Sequence, residues 1–179
     1  LTDVDSANLT SLLVTLTARP DGNAVESLSL NAAATAAAAG AGLTVSYTPA
    51  SGVLSITGAA TTAVYQSILQ GVLYNDTSDA PTTSNRSITV VARDSANLSS
   101  ATQTVTLTVT AVNDAPVVDL NAAGAGQDVT TAYTEQTPVL IAPVGTLTDV
   151  DSANLTSLLV TLTARPDGNA VESLSLNAA

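Results

Sequence analysis

Apolar and hydroxyl-bearing residues alternate along much of this chain. Leu12-Leu13-Val14-Thr15-Leu16-Thr17 and Thr104-Val105-Thr106-Leu107-Thr108-Val109-Thr110 follow a period of two, which suits strands with one face in a core and the other in water. Shorter runs at 25–30, 43–48, 53–57, 72–74, 88–92, 129–133 and 139–142 share the pattern. Turn chemistry separates them, in Arg19-Pro20-Asp21-Gly22-Asn23, in Pro49-Ala50-Ser51-Gly52 and across 75–85. One segment departs from the period. Within 60–70, Val64, Ile68 and Leu69 stand at helical spacing with Tyr65 alongside, predicting a short helix that crosses between strands. The Ala-rich tract 31–42 has helix propensity but no apolar face to dock, so it reads as a loop holding at most a helical turn. Many short strands with frequent turns predict an all-β protein, a Greek-key β-sandwich with one short crossing helix.

An internal repeat organises the rest. Residues 1–33 read LTDVDSANLTSLLVTLTARPDGNAVESLSLNAA, and residues 147–179 are the same letter for letter, at an offset of 146. That period is too long for a solenoid turn and matches a complete domain. The expected organisation is a first repeat over 1–112 lacking its opening strands, a linker at 113–116 and the start of a second repeat over 117–179.

Composition narrows the chemistry. Fifteen acidic residues face four arginines, with no lysine, histidine or cysteine, and the net charge is −11 over 179 residues. Zinc sites, haem ligation, disulfides and imidazole bases are excluded. Nucleic acid and anionic membranes find no basic patch. An apolar share of 45% is too high for a disordered acidic chain. No apolar run reaches the roughly 18–20 residues of a membrane span, and the chain begins at Leu1, so a secretion signal is expected outside it.

The acids are grouped. Asp3 and Asp5 stand two apart with Asn8 three further on, and Asp149, Asp151 and Asn154 repeat the arrangement. Asp94-Ser95-Ala96-Asn97-Leu98 echoes part of it at the end of a strand. Alternating Asp in a turn can aim two carboxylates at one point, as a hard cation with six to eight oxygen ligands requires. Asp, Ser and Asn also cap turns with no metal involved. Strand direction shifts the balance toward the first. If strands alternate and the last one leaves at the bottom, Asp94 and the Asp3–Asn8 loop share the top of the domain. The second copy then lies at the top of the next unit beside Asn113 and Asp114, and Asp21 lies in the bottom turn facing the same junction.

The stretch Ser99–Val117, ending Val112-Asn113-Asp114-Ala115-Pro116, resembles the last strand and linker of a cadherin repeat, whose linker reads D-x-N-D-N-A-P. Ile88-Thr89-Val90-Val91-Ala92-Arg93-Asp94 resembles the preceding cadherin strand, Asp149-Val150-Asp151 with Asn154 the D-x-D…N loop, and Tyr133-Thr134-Glu135-Gln136 the early-strand Glu. Together with tandem identity and acidity, the chain resembles a cadherin-like or Ig-like extender repeat of a large bacterial RTX-type adhesin. The L-D-R-E motif of animal cadherins is replaced by the helix and Leu73-Tyr74-Asn75-Asp76, and Ala111 stands where the linker's first Asp would be. The resemblance implies several Ca²⁺ ions at each joint, with Glu135 among the ligands. It implies neighbouring identical repeats as partners, a bacterial cell-surface location, and no direct membrane contact or small-molecule substrate.

Other classes fare less well. Asp and Glu could form a glycosidase pair, and Ser or Tyr could be nucleophiles, but no His or Lys is present to activate them, so the chain is read as non-enzymatic. Thr-x-Thr pairs could order water at a surface, though Thr equally suits the solvated face of a strand. A carbohydrate- or surface-binding β-sandwich is the alternative reading. It has four tyrosines to work with, and Tyr47, Tyr65 and Tyr74 lie in apolar patterns that point to the core.

Overall fold

The computed structural model describes residues 8–122 and 124–176. The chain divides into two compact units, Leu1–Ala115 and Pro116–Ala179. The first unit is mostly β. Its strands are β1 (Asn8–Leu16), β2 (Glu26–Leu30), β3 (Thr44–Thr48), β4 (Val53–Thr61), β5 (Val72–Asp76), β6 (Arg86–Asp94) and β7 (Gln103–Leu107). Each coincides with a run of period-two sequence. Five of them form an antiparallel sheet in the order β3-β4-β1-β6-β7, and β2 pairs with β5.

β1 is the central strand. Its register sets Val14 opposite Leu54 on one side and opposite Val90 on the other. A bulge between Leu9 and Ser11 interrupts both ladders, and the Thr10 hydroxyl there donates to the Asp94 carbonyl at 2.7 Å. Because β1 is antiparallel to β6, with Leu9 opposite Asp94 and Leu16 opposite Ile88, the start of β1 and the end of β6 share one end of the sheet. At the opposite end, Arg86 of β6 pairs with Leu107 of β7, and Glu26 of β2 with Asp76 of β5. The core is made by Leu12, Val14 and Leu16 of β1, Leu54 and Ile56 of β4, Ile88 and Ala92 of β6, and Leu28 of β2, with Tyr65 and Ile68 from a helix.

Two helices, rather than the single one expected, link the strands. α2 (Thr62–Leu69) is the crossing helix anticipated from Val64, Ile68 and Leu69, and Thr61 caps it by accepting from the Val64 amide. α1 (Ala32–Gly40) is a full helix where the sequence suggested a loop. Asn31 starts it, its side chain accepting from the Ala34 amide at 2.8 Å. Its inward face needs no large side chains because a neighbour comes very close: a Cβ on Gly71 would sit 2.4 Å from the Ala34 Cβ. Ala34 and Ala38, four apart, are the buried residues. An alanine stripe thus docks by close approach, not by bulk.

Among its described residues the second unit holds one short pair, β8 (Val117–Asp119) and β9 (Thr146–Thr148). The runs at 129–133 and 139–142 form no strands, and neither do 154–162 or 172–176, the sequence counterparts of β1 and β2. Identical residues are strands in one unit and not in the other. The ladder partners make the difference, since this chain carries one copy of β4, β5 and β6. The connecting turn needs no partner. In the first copy Gly22 donates to the Arg19 carbonyl, Glu26 to that of Gly22, and the Asp21 amide to Glu26 Oε1 at 2.7 Å. The second copy has the same bonds at Gly168, Glu172 and Asp167. Gly22 and Gly168 adopt φ of 100° and 96°, the left-handed region that favours glycine.

Candidate functional site

Among the described residues, charged side chains come together most densely at the Arg86 end of the first unit. Period two dictates the grouping. Glu26 shares a strand face with Leu28, Arg86 with Ile88, and Tyr74 with Val72 and Asp76, so all four point with the apolar face. Arg86 and Glu26 are fully buried. The Arg86 guanidinium pairs with Asp21, with Glu26 Oε2 at 3.2 Å and with Asp76 Oδ2 at 2.9 Å. Its Nε also donates to the Tyr74 hydroxyl at 3.1 Å, and its Nη1 donates to the carbonyls of Thr82 and Ser84. Asp21 in turn accepts from the Thr82 amide and hydroxyl, and Asp76 Oδ1 from the Ser78 amide at 2.9 Å. This network fastens the loop between β5 and β6 to the turn after β1.

The electrostatics follow. Burial opposes the Arg86 charge, but the Tyr74 oxygen and the Glu26 and Asp76 carboxylates more than offset it, leaving its pKa above the ordinary value. Asp21 is lowered, chiefly by the Thr82 hydroxyl and amide. Its contribution is present above its ordinary 3.8 and lost as pH falls through the folded value below that. Burial pushes Tyr74 up to about 12 from 10.0. The folded state therefore holds a proton that the unfolded chain releases first, so this contribution is full below pH 10 and lost between about 10 and 12. Tyr65, raised by burial, acts in the same direction. Melting temperature should fall across that alkaline window, and Tyr74→Phe should flatten part of the slope; an unchanged slope would remove Tyr74 as a source.

Asp21, Glu26 and Asp76 each bring a carboxylate oxygen within 4.8 Å of the others, a spacing that could hold a metal ion. Arg86 already stands among them as the counter-charge. Asp21, expected at an interdomain joint, belongs to this network within the first unit. Glu26, Asp76 and Arg86 were missed from sequence, and Tyr74 was expected only as a core ring; the signal for the three was a charged residue in step with apolar neighbours at period two.

The other expected ligands are placed as follows. Asp3 and Asp5 lie outside the described residues. Asn8 opens β1 and Asp94 closes β6 at the same end of the sheet. Asp94 is buried, its Oδ1 accepting from the Leu98 amide at 2.8 Å in a turn where Asn97 has φ 67°. Asn113 and Asp114 are exposed neighbours, the Asn113 side-chain amide donating to the Asp114 carbonyl at 2.7 Å. Asp149 and Asp151 share one turn: Asp149 Oδ1 accepts from the amides of Asp151 at 3.3 Å and Ser152 at 3.0 Å. Asn154 is exposed just beyond it. Glu135 is exposed in a tight turn closed by Thr134 and Thr137, not in a strand. The donors at the Asp94 and Asp149 turns are all oxygen, the set a hard cation takes. Tyr65 is buried and Tyr47 and Tyr74 pack against the core, leaving Tyr133 as the exposed ring. No helix among the described residues is long and apolar enough to cross a membrane. No protein-family model, curated protein or solved structure matches the chain.

Proposed function

We propose that this chain is part of a calcium-rigidified extender, a β-sandwich repeated in tandem to hold an adhesive tip away from a bacterial cell surface. The observation that carries the reading is the letter-for-letter recurrence of 33 residues at a 146-residue offset, with an Asp-x-Asp turn inside each copy. Identical units suit repeated mechanics, where every element bears the same load. The fold is compatible: the five-stranded sheet and the β2–β5 pair contribute to one core, as the two layers of a Greek-key sandwich would. β7 runs from the Asp94 end toward the Arg86 end, so the chain leaves the unit opposite the end where β1 enters. Asn8 and Asp94 then belong to one joint, and Asn113, Asp114, Glu135, Asp149, Asp151 and Asn154 to the next, each holding several Ca²⁺ ions.

The deciding variant is Asp149→Asn with Asp151→Asn in a protein of several complete periods. Asparagine keeps the Oδ1 that accepts the Asp151 and Ser152 amides, so the turn survives while two charges go. In millimolar calcium the end-to-end distance distribution of a labelled tandem pair should broaden, as chelator should broaden that of the parent, at unchanged far-UV circular dichroism. Asp79→Asn with Asp128→Asn is the control, because both are exposed and neither belongs to a cluster. Asp119 is unsuitable, since its Oδ1 accepts from the amides of Asn121 and Ala122. A distribution that stays narrow, or that broadens equally in the control, rejects the calcium joint.

A further inference from the structure

The outer face of the five-stranded sheet is set apart by its charge. Strands β3, β4, β1, β6 and β7 contain one acid between them, Asp94, and Asp94 is buried. Residues opposite one another on neighbouring strands share a face, so the register lays this surface out in rows that cross the sheet. Thr48, Val53, Thr15, Thr89 and Thr104 form one row over all five strands. Ser46, Ser55, Leu13 and Val91 form the next over four. Both rows point away from the core, since Leu12, Val14, Leu54 and Ile56 alternate with them and are buried. Leu13, on the central strand, is 39% exposed. Among the described residues of these strands, the charge on this face is Arg93, which is exposed. A chain with fifteen acids and a net charge of −11 thus keeps a broad surface of its first unit free of carboxylate.

We propose that this face pairs with the same face of a second copy of the chain. Charge selects the partner. Two copies of net charge −11 repel, and here they can meet with no carboxylate set against another. Leu13, Val53 and Val91 give the contact an apolar centre, and the hydroxyls around them donate and accept in any pairing. A sugar chain would want a ring to stack on, and Tyr47, Tyr65 and Tyr74 all go with the core. Five strands about 4.8 Å apart and about six residues at about 3.4 Å each cover about 500 Å². Two such faces bury about 1,000 Å², the lower bound of a specific interface. A two-fold axis lying in the face and crossing the strands sets Arg93 of one copy over the Thr17–Ser87 row of the other, so the guanidiniums stay apart. The pairing needs neither calcium nor a second period. Its consequence in the tandem array rests on the function proposed above: each period repeats the face, and weak contacts between neighbouring arrays add.

The test uses the 179-residue chain in chelator, so that pairing and the calcium joint are judged separately. Sedimentation equilibrium should show monomer and dimer exchanging at about 0.1–1 mM chain. Raising salt from about 0.01 M to about 0.15 M shortens the Debye length from about 30 Å to about 8 Å, and should tighten the dimer about tenfold. Ser55→Glu with Thr89→Glu, on the strands either side of Leu13, should keep the far-UV circular dichroism and remain monomeric. Mixed one-to-one with a Ser55→Arg, Thr89→Arg chain, it should form a heterodimer, which an unfolded variant could not do. Ala33→Glu with Ala36→Glu, both exposed on α1, adds the same charge elsewhere and should dimerise as the parent does at the higher salt. A monomeric parent overturns the proposal. So does a dimer that persists in the Ser55→Glu, Thr89→Glu variant, or one lost equally in the α1 control. A parent that stays monomeric and binds a neutral glucan through this face would assign it to sugar and overturn the pairing.

Discussion

Arg86→Met should destabilise the first unit by about 3–5 kcal/mol, the loss that follows removal of one partner from a buried ion pair. That is a large share of the roughly 5–15 kcal/mol by which a domain is stable. Methionine replaces much of the volume but none of the charge. Glu26, with no exposed surface, and Asp21 and Asp76, nearly covered, would be left converging without a cation. Lysine would not restore the native state, since one ammonium cannot reach the Tyr74 oxygen, three carboxylates and two carbonyls that the guanidinium fork serves. Two comparisons separate charge from packing in denaturant melts. Adding Glu26→Gln to Arg86→Met should recover part of the loss, and so should millimolar calcium, because the bared carboxylates have metal-like spacing. A variant that unfolds at the parent's denaturant midpoint would show that Arg86 is not the required counter-charge.

Chelating calcium from a protein of several complete periods should lower its melting temperature by about ten degrees. At about tenfold excess over Kd each bound ion adds roughly 1.4 kcal/mol. Three ions per unit would give about 4 kcal/mol, and in a domain of this size each kcal/mol moves the midpoint by about 2–4 °C. The direction comes from charge. With net charge −11 and four arginines, carboxylates brought together at a joint have little cationic relief of their own, least of all with Arg86 committed elsewhere. Magnesium should do much less, because it holds its water and demands octahedral geometry. Superimposed melts in calcium and chelator would leave the acidic turns as caps and nothing more.

Strands of the first unit were legible because each carries its own period and most begin beside Gly or Asn. The crossing helix was legible for the same reason, with Val64 and Ile68 four apart. α1 was not, because the cue sought was an apolar face, whereas Ala34 docks through the absence of a side chain at Gly71, some forty residues away. The Arg86 network was half visible. Parity would have placed Glu26 and Arg86 on inward faces, a signal the sequence reading did not use, but nothing in the sequence says which charges will meet. The duplicated segment shows where local reading stops. Its turn is the same in both copies and is therefore written in Arg19–Glu26 alone. Its strands exist only where β4, β5 and β6 are there to receive them. The acidic turns at Asp94 and Asp149 take the cap geometry that Asp and Asn favour, while any joint between units lies beyond what local pattern can specify.

The pairing of Leu9 with Asp94 also fixes a timetable. β1 is made before β6 yet cannot complete its ladders until β6 emerges about 85 residues later, which at a ribosomal rate of about 5–20 residues per second is a wait of roughly 4–17 s. In an array of identical periods, that delay still ends before the next copy of β1 is translated, since residue 94 precedes residue 154. Were the sheet to close as the chain is made, vectorial synthesis would give each sheet to its own strand, a choice that identical sequences cannot make by affinity. Refolding from denaturant offers both copies at once and abolishes that precedence.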